Sequence, residues 1–344
     1  MAVGASAACA PGRDAERAVR FSIVAPLFDL RDAGYRALES ALAQTLARDA
    51  YEVIAVFDAH AGDRPEALLA RCDRAIPVAI DGDDVASEIV LFDAGARAAR
   101  GDYLFFIEGH TVLAPGALRT LAEEIERVGH ADILCGGRVD HARTPLGVLI
   151  GGNNARHALR AGRSGQFTLG ANCAIVRARF EALGGFDLRY LRFNETVLHR
   201  RAVAAGAVVA VFDRVLCTHH NDAPLRWLVQ LLLATGRAKS RYYRTLTSGA
   251  RLRHPVYRWL GSRGAAAAAA IPLRLAGPTV IATAMLLARR VPTLAGRLYL
   301  FGVGCTDVAG FCIDRAFAPA PSDRAAGVAR PSESSLPTDH ELHA

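Results

Sequence analysis

The residues of this chain with chemical reach are carboxylates and imidazoles placed just after short apolar runs. Asp29 comes soon after Phe21–Pro26, Asp58 follows Tyr51–Phe57, Asp81 follows Ile76–Ile80, and Glu108 follows Tyr103–Ile107. Glu108-Gly-His110 sets a carboxylate and an imidazole two positions apart. Residues i and i+2 of an extended segment point the same way, so both can meet one cation. His219 and His220 come after the last expected strand, and Asn194-Glu195 opens a helical pattern. There Asn suits a cap and Glu the positive helix end. No GxGxxG follows the first apolar run, and neither a GxxxxGK[ST] loop nor a GxSxG elbow occurs anywhere. Dinucleotide, P-loop and serine-hydrolase chemistry therefore lack their cradle or nucleophile. Acids and histidines at strand ends suit a diphosphate bridged by a divalent metal. Imidazole is a poorer ligand for Mg²⁺ than for a softer ion, which favours Mn²⁺.

Strand and helix patterns alternate around these positions. Phe21–Pro26, Tyr51–Phe57, Ile76–Ile80 and Tyr103–Ile107 read as strands; Ala33–Leu46, Pro65–Cys72 and Val85–Ala99 read as helices. Such alternation implies right-handed crossovers and an α/β fold whose central sheet is mostly parallel and flanked by helices. Ligands bind beyond the carboxyl ends of such strands, where the acids lie. Ile133 to Phe212 is less regular, with strands expected at Thr168–Val176 and Val208–Phe212 and a helix at Asn194–Ala205. Ala223–Thr247 reads as one long helix.

Composition bounds the setting. Across 344 residues, 51% are hydrophobic and the mean hydropathy is +0.18, high for a soluble enzyme. The seven cysteines are scattered, odd in number and never spaced CxxC. This disfavours a disulfide framework or thiolate zinc site and favours a reducing compartment. The N-terminus lacks the apolar core of a signal peptide, so the catalytic region is expected at the cytoplasmic face. Net charge is +7, and from Gly236 to Arg263 there are many Arg and Lys but no acids. The apolar stretches Ala265–Ala288 and Leu298–Ile313 follow. That order points to an anionic membrane surface rather than nucleic acid, with a solvated helix face as the plain alternative. The apolar stretches read as spanning, as interfacial or re-entrant, or as a hairpin packed on the enzyme. The expected divisions are a disordered 1–19, a catalytic 20–222, a helix and basic segment 223–263, membrane-associated helices 264–314, and a disordered 315–344.

Several segments together resemble the family-2 glycosyltransferases, which have a GT-A nucleotide-diphospho-sugar transferase fold. Phe21-Ser-Ile-Val-Ala-Pro26 is similar to that family's first strand, and Ala37-Leu-Glu-Ser-Ala-Leu-Ala-Gln-Thr45 to its first helix. Glu52-Val-Ile-Ala-Val-Phe-Asp58 resembles the strand that ends in an aspartate pair, with the second aspartate kept. Ala94-Gly-Ala-Arg-Ala-Ala-Arg-Gly-Asp-Tyr-Leu-Phe-Phe-Ile107 resembles the approach to the metal motif. Gly170-Ala-Asn-Cys-Ala-Ile-Val176 and Gly184-Gly-Phe-Asp187 resemble the acceptor-side strand and turn.

The resemblance implies transfer of a sugar from a nucleotide-sugar donor, commonly a UDP-sugar, to an unspecified acceptor in cell-envelope or polysaccharide/glycolipid synthesis. It places Pro26, Asp29, Asp58, Asp93 and Arg97 against the donor nucleotide, with Asp58 accepting the uracil imide N–H. Glu108 and His110 take the place of the Asp-x-Asp metal motif, and His219 falls near the diphosphate and metal. Asn172 and Asn194 fall on the acceptor side. Glu195 falls where the catalytic aspartate lies, judged by its spacing to Leu198, Arg201 and Gly206, and would act as the base of an inverting displacement. Arg226, Trp227 and Gln230 resemble, in the wrong order, a motif of processive members, and are expected to line one side of the long helix. The altered metal motif keeps open a non-catalytic binding subunit. A nucleotidyltransferase is the other alternative, although its Gly-rich loop is missing.

Overall fold

The computed structural model describes residues 20–80, 88–164, 172–245, 257, 259–260 and 262–317. Asp81 and part of the basic segment (246–256, 258 and 261) lie outside these, as do 1–19 and the tail from 318.

Eight strands form one sheet in the order β3-β2-β1-β4-β7-β6-β8-β5. They are β1 (Phe21–Pro26), β2 (Tyr51–Asp58), β3 (Arg74–Val78), β4 (Tyr103–Phe106), β5 (Thr111–Leu113), β6 (Ile133–His141), β7 (Cys173–Val176) and β8 (Val209–His220). The half from β3 to β4 is parallel, as the alternation implies. Beyond β4 the sheet is mixed: β7 runs antiparallel to β4 and β6, β6 and β8 are parallel, and β5 is antiparallel to β8. Strand alternation divides the core between the two faces. Phe21, Ile23, Val53, Ala55 and Phe105 pack on one, and Val24, Ile54, Val56, Leu104 and Phe106 on the other, all fully or nearly buried. Each such large side chain contributes about 1.5–3 kcal/mol.

The helices are α1 (Arg36–Leu42), α2 (Glu66–Leu69), α3 (Glu88–Ala98), α4 (Ala117–Val128), α5 (Pro145–Ser164), α6 (Arg177–Ala182), α7 (Asn194–Ala204), α8 (Leu225–Thr245), α9 (Arg263–Leu287) and α10 (Pro292–Phe317). Three sequence expectations are corrected. The stretch from Ile133 holds a nine-residue strand and a 20-residue helix, β6 and α5. β8 does not stop at Phe212 but runs twelve residues to His220, so His219 and His220 lie within the strand. The second apolar helix is 26 residues long and reaches Phe317, past the expected start of the tail.

α9 is one continuous helix with Pro272 and Pro278 inside it. It is long and apolar enough to cross a membrane, with mean hydropathy 1.6 over its best window, of which 22% is buried. α10 packs between α9 and α8. A methyl group on Gly236 would overlap the Asp307 carbonyl, and one on Gly310 the Leu233 carbonyl, so these glycines let the α8 and α10 backbones touch. The acids of α10 are paired: Lys239 Nζ lies 2.6 Å from Asp307, Tyr257 Oη donates to the same carboxylate at 3.0 Å, and Arg241 and Arg244 hold Asp314. Part of the basic run is therefore spent inside the protein.

Candidate active site

Glu108 leaves the carboxyl end of β4, and Gly109 carries the chain under the 27–30 loop. A methyl group on Gly109 would overlap the Phe28 carbonyl, so only glycine fits. His110 then opens β5, whose pairing sets Thr111 opposite His219, while β6 sets Asp140 opposite His219 and His141 opposite His220. Consecutive residues of a strand face opposite ways. His219 therefore faces Glu108, and His220 faces Asp32, whose carboxylate lies 3.1 Å from its Nδ1.

Glu108, His110 and His219 each offer a ligand atom, all within 4.8 Å of one another. Glu108 Oε2 is 2.9 Å from His219 Nε2 and 3.5 Å from His110 Nε2, and the two Nε2 atoms are 3.2 Å apart. The outer nitrogens decide what those Nε2 atoms are. His110 Nδ1 faces the Asp29 carbonyl at 3.0 Å and must carry the proton. His219 Nδ1 faces Asn221 Oδ1 at 2.9 Å. That amide is oriented by its own Nδ2 donating to Asp140 and by Asn154 Nδ2 donating to its oxygen. Both Nε2 lone pairs thus point with a carboxylate oxygen at one spot, which is favourable only with a proton or a cation there. Holding the ligand tautomer through the other ring nitrogen is the usual outer support of a metal-binding histidine. The residues present fit a divalent metal.

Charge agrees. Burial opposes ionisation of Glu108, but His110, His219 and Arg31 hold its carboxyl well below the usual range. Burial, then the Arg31 charge, pushes the His110 imidazole well below its ordinary range. Burial also acts to lower His219, but its hydrogen bonds to Asp140 and Glu108 outweigh it and raise this one.

The loop beneath is strained. Asp29 and Arg31 have φ of +49° and +48°, a region non-glycine residues rarely occupy. Three contacts of Arg31 hold it: Asp29 at 2.9 Å, the His220 carbonyl at 2.8 Å, and the Trp227 ring at 4.7 Å. A cavity of about 340 Å³ opens over the cluster, lined on its polar side by Arg31, Glu108, His110, Arg138, Arg192 and His219. Arg192 pairs with buried Glu88 at 2.7 Å, whose carboxyl burial raises to about 7.

The remaining expected residues are spread wider. Pro26 ends β1 beside Gly109. Asp58 ends β2, half-buried, accepting from the His60 backbone N–H at 2.9 Å. Asp93 and Arg97 form an i,i+4 ion pair on α3 at 2.7 Å. Asn172 Nδ2 donates to the Gly136 carbonyl. Asn194 is buried and both ends of its amide bind the Asp187 backbone, so it clamps the turn after Gly184-Gly185. Glu195 lies in the first turn of α7, half-buried, and is not among the residues lining the cavity. Sequence reasoning missed Arg31, Arg138, Asp140, Arg192 and Asn221. Asn221, two residues beyond His219, was the one within reach of a local signal.

An eight-stranded mixed α/β sheet flanked by helices is consistent with the GT-A fold. Residues 22–160 match the family model described as Glycosyl transferase family 2. That stretch, less than half of the chain, is where it is similar to the family-2 glycosyltransferases. Among solved structures, it is similar to the mannosyltransferase PcManGT from Pyrobaculum calidifontis in complex with GDP-Man and Mn²⁺. That likeness has 15% identity and a TM-score of 0.53 over 86% of each chain, and shows the fold. S. aureus TarS 1-349 in complex with UDP is also similar, with 13% identity and a TM-score of 0.47 over 86% of this chain and 90% of that one. Comparison with curated protein sequences returns no match.

Proposed function

We propose that the chain transfers a sugar from a nucleotide-diphosphate sugar, a UDP-sugar before others, by inverting single displacement at the cytoplasmic face of a membrane. Residues 20–222 would be the catalytic unit, and the acceptor would belong to cell-envelope, polysaccharide or glycolipid synthesis. The observation that carries the reading is the convergence of two imidazole Nε2 atoms with Glu108 Oε2, each ring also hydrogen-bonded through its Nδ1. Bound there, a divalent cation supplies positive charge that offsets the charge developing on the leaving diphosphate. Mn²⁺ is favoured over Mg²⁺ because two of three ligands are imidazoles, and the similar mannosyltransferase structure contains Mn²⁺. Asp58 would accept the base's imide N–H, and Glu195 would take the acceptor proton.

The test is a donor-hydrolysis screen across nucleotide sugars on the full chain, in chelator and after Mn²⁺ or Mg²⁺ is restored. We expect one nucleotide class to stand out, no turnover in chelator, and better recovery with Mn²⁺. Full turnover in chelator would remove Glu108, His110 and His219 from the mechanism. No hydrolysis of any donor, with nucleotide binding intact, would favour the non-catalytic subunit.

A further inference from the structure

The cavity above the histidine pair has two unlike walls. Strand ends and the 27–30 loop supply the polar one. Leu228, Leu231 and Leu232 of α8, Val303 of α10 and Ile150 of α5 supply most of the other. A sugar or peptide acceptor binds through many hydrogen bonds, and polar groups buried against aliphatic carbon lose those they made with water. An aliphatic chain carries no such cost and gains from leaving water. On its neighbouring face α10 presents Leu300, Phe301 and Gly304 to an outer groove of about 880 Å³, shared with Pro272 and Leu273 of the exposed, apolar α9. On the polar side, Arg138 Nε and Arg192 Nε are buried with no hydrogen-bond partner among the described residues, so donors for anionic oxygen are present.

We propose that the acceptor is a long-chain amphiphile, which lays its aliphatic chain on α8 and α10 and presents a terminal hydroxyl or phosphate oxygen to the polar side of the cavity. This rests on the glycosyl-transfer reading above. In the step, the acceptor oxygen forms a bond to the anomeric carbon. The bond from that carbon to the nucleoside diphosphate oxygen breaks, and its electron pair leaves with the diphosphate. A hydroxyl acceptor gives its proton to Glu195; a phosphate, already ionised, gives none.

The experiment uses the full chain with Mn²⁺ and the donor found by the hydrolysis screen. The acceptors are hexyl, octyl and decyl phosphate, the three matching alcohols, and a soluble oligosaccharide. The expected result is a kcat/KM that climbs about fourfold per methylene, equivalent to about 0.8 kcal/mol, in one alkyl series, with no transfer to the oligosaccharide. The series that climbs tells phosphate from hydroxyl. Leu232→Gln and Val303→Gln should flatten the climb. Transfer to the oligosaccharide, indifference to chain length, or no transfer to any acceptor while donor hydrolysis proceeds would each overturn the proposal. Loss of both donor hydrolysis and nucleotide binding would instead overturn the transfer reading, and the proposal with it.

Discussion

Whether this site holds a metal is decided one atom beyond the ligands. His219 can offer a bare Nε2 because Asn221 takes the proton on its Nδ1, and Asn221 is fixed by Asp140 and Asn154. Asn221→Ala should therefore weaken Mn²⁺ binding about 10–100-fold, read by calorimetry on metal-stripped protein. Unchanged affinity would mean the tautomer is not set here. The base is tested by Glu195→Gln, which keeps shape but cannot accept a proton. Turnover should fall by a factor on the order of 10²–10⁴ with donor affinity unchanged. A Glu195 that only favours the start of α7 would instead cost a few tenths to 1 kcal/mol of stability and no rate. The candidate pair itself was legible from sequence, because Glu108 and His110 are two apart in an extended segment. Their supports were not: Asp140 lies 79 residues from His219, and only the β6–β8 register brings them level.

At the scale of elements, the parallel half of the sheet was readable because its strands are apolar runs separated by helices. β8 was cut short because Asp213 and Arg214 interrupt its apolar pattern; these exposed residues fall where the β6–β8 register shifts. Had the strand been followed through, alternation alone would have sent His219 and His220 to opposite faces. The turn before α7 is a second element whose logic is spatial. Asn194 clamps the Asp187 backbone, while the Asp187 carboxylate holds Arg189 at 2.7 Å and Arg201 at 2.9 Å. Burial would raise Asp187, but the two guanidinium groups bring its carboxyl down to about 2. A folded-state value below the unfolded one of about 3.9 adds stability that is complete above that value and fades as pH falls through about 2. Asp187→Asn should cost about 3 kcal/mol at neutral pH, since Arg201 is left buried without this counter-charge. The gap from wild type should close toward pH 2 in acid-denaturation curves. A gap independent of pH would show that packing, not charge, is what the variant loses.

For the whole molecule, the C-terminal helices are more than an attachment, since α8 and α10 form one wall of the cavity. Lys239, Arg241 and Arg244 are committed to Asp307 and Asp314, so fewer cations remain for an anionic surface than the sequence suggests. Membrane association is then expected to rest mainly on α9, and high salt should leave most of the full chain with the membrane while detergent releases it. Complete release by salt, followed by sedimentation, would mean that α9 is covered by protein instead. The same ion pairs carry a consequence for timing. A carboxylate buried without its cation costs several kcal/mol, so α10 cannot take its place until α8 is ready to receive it. Synthesis runs in the favourable direction, because Lys239 and Arg244 leave the ribosome some seventy residues before Asp307 and Asp314. The helix that closes one side of the cavity is thus made after α8, and it can dock only on an α8 already in place.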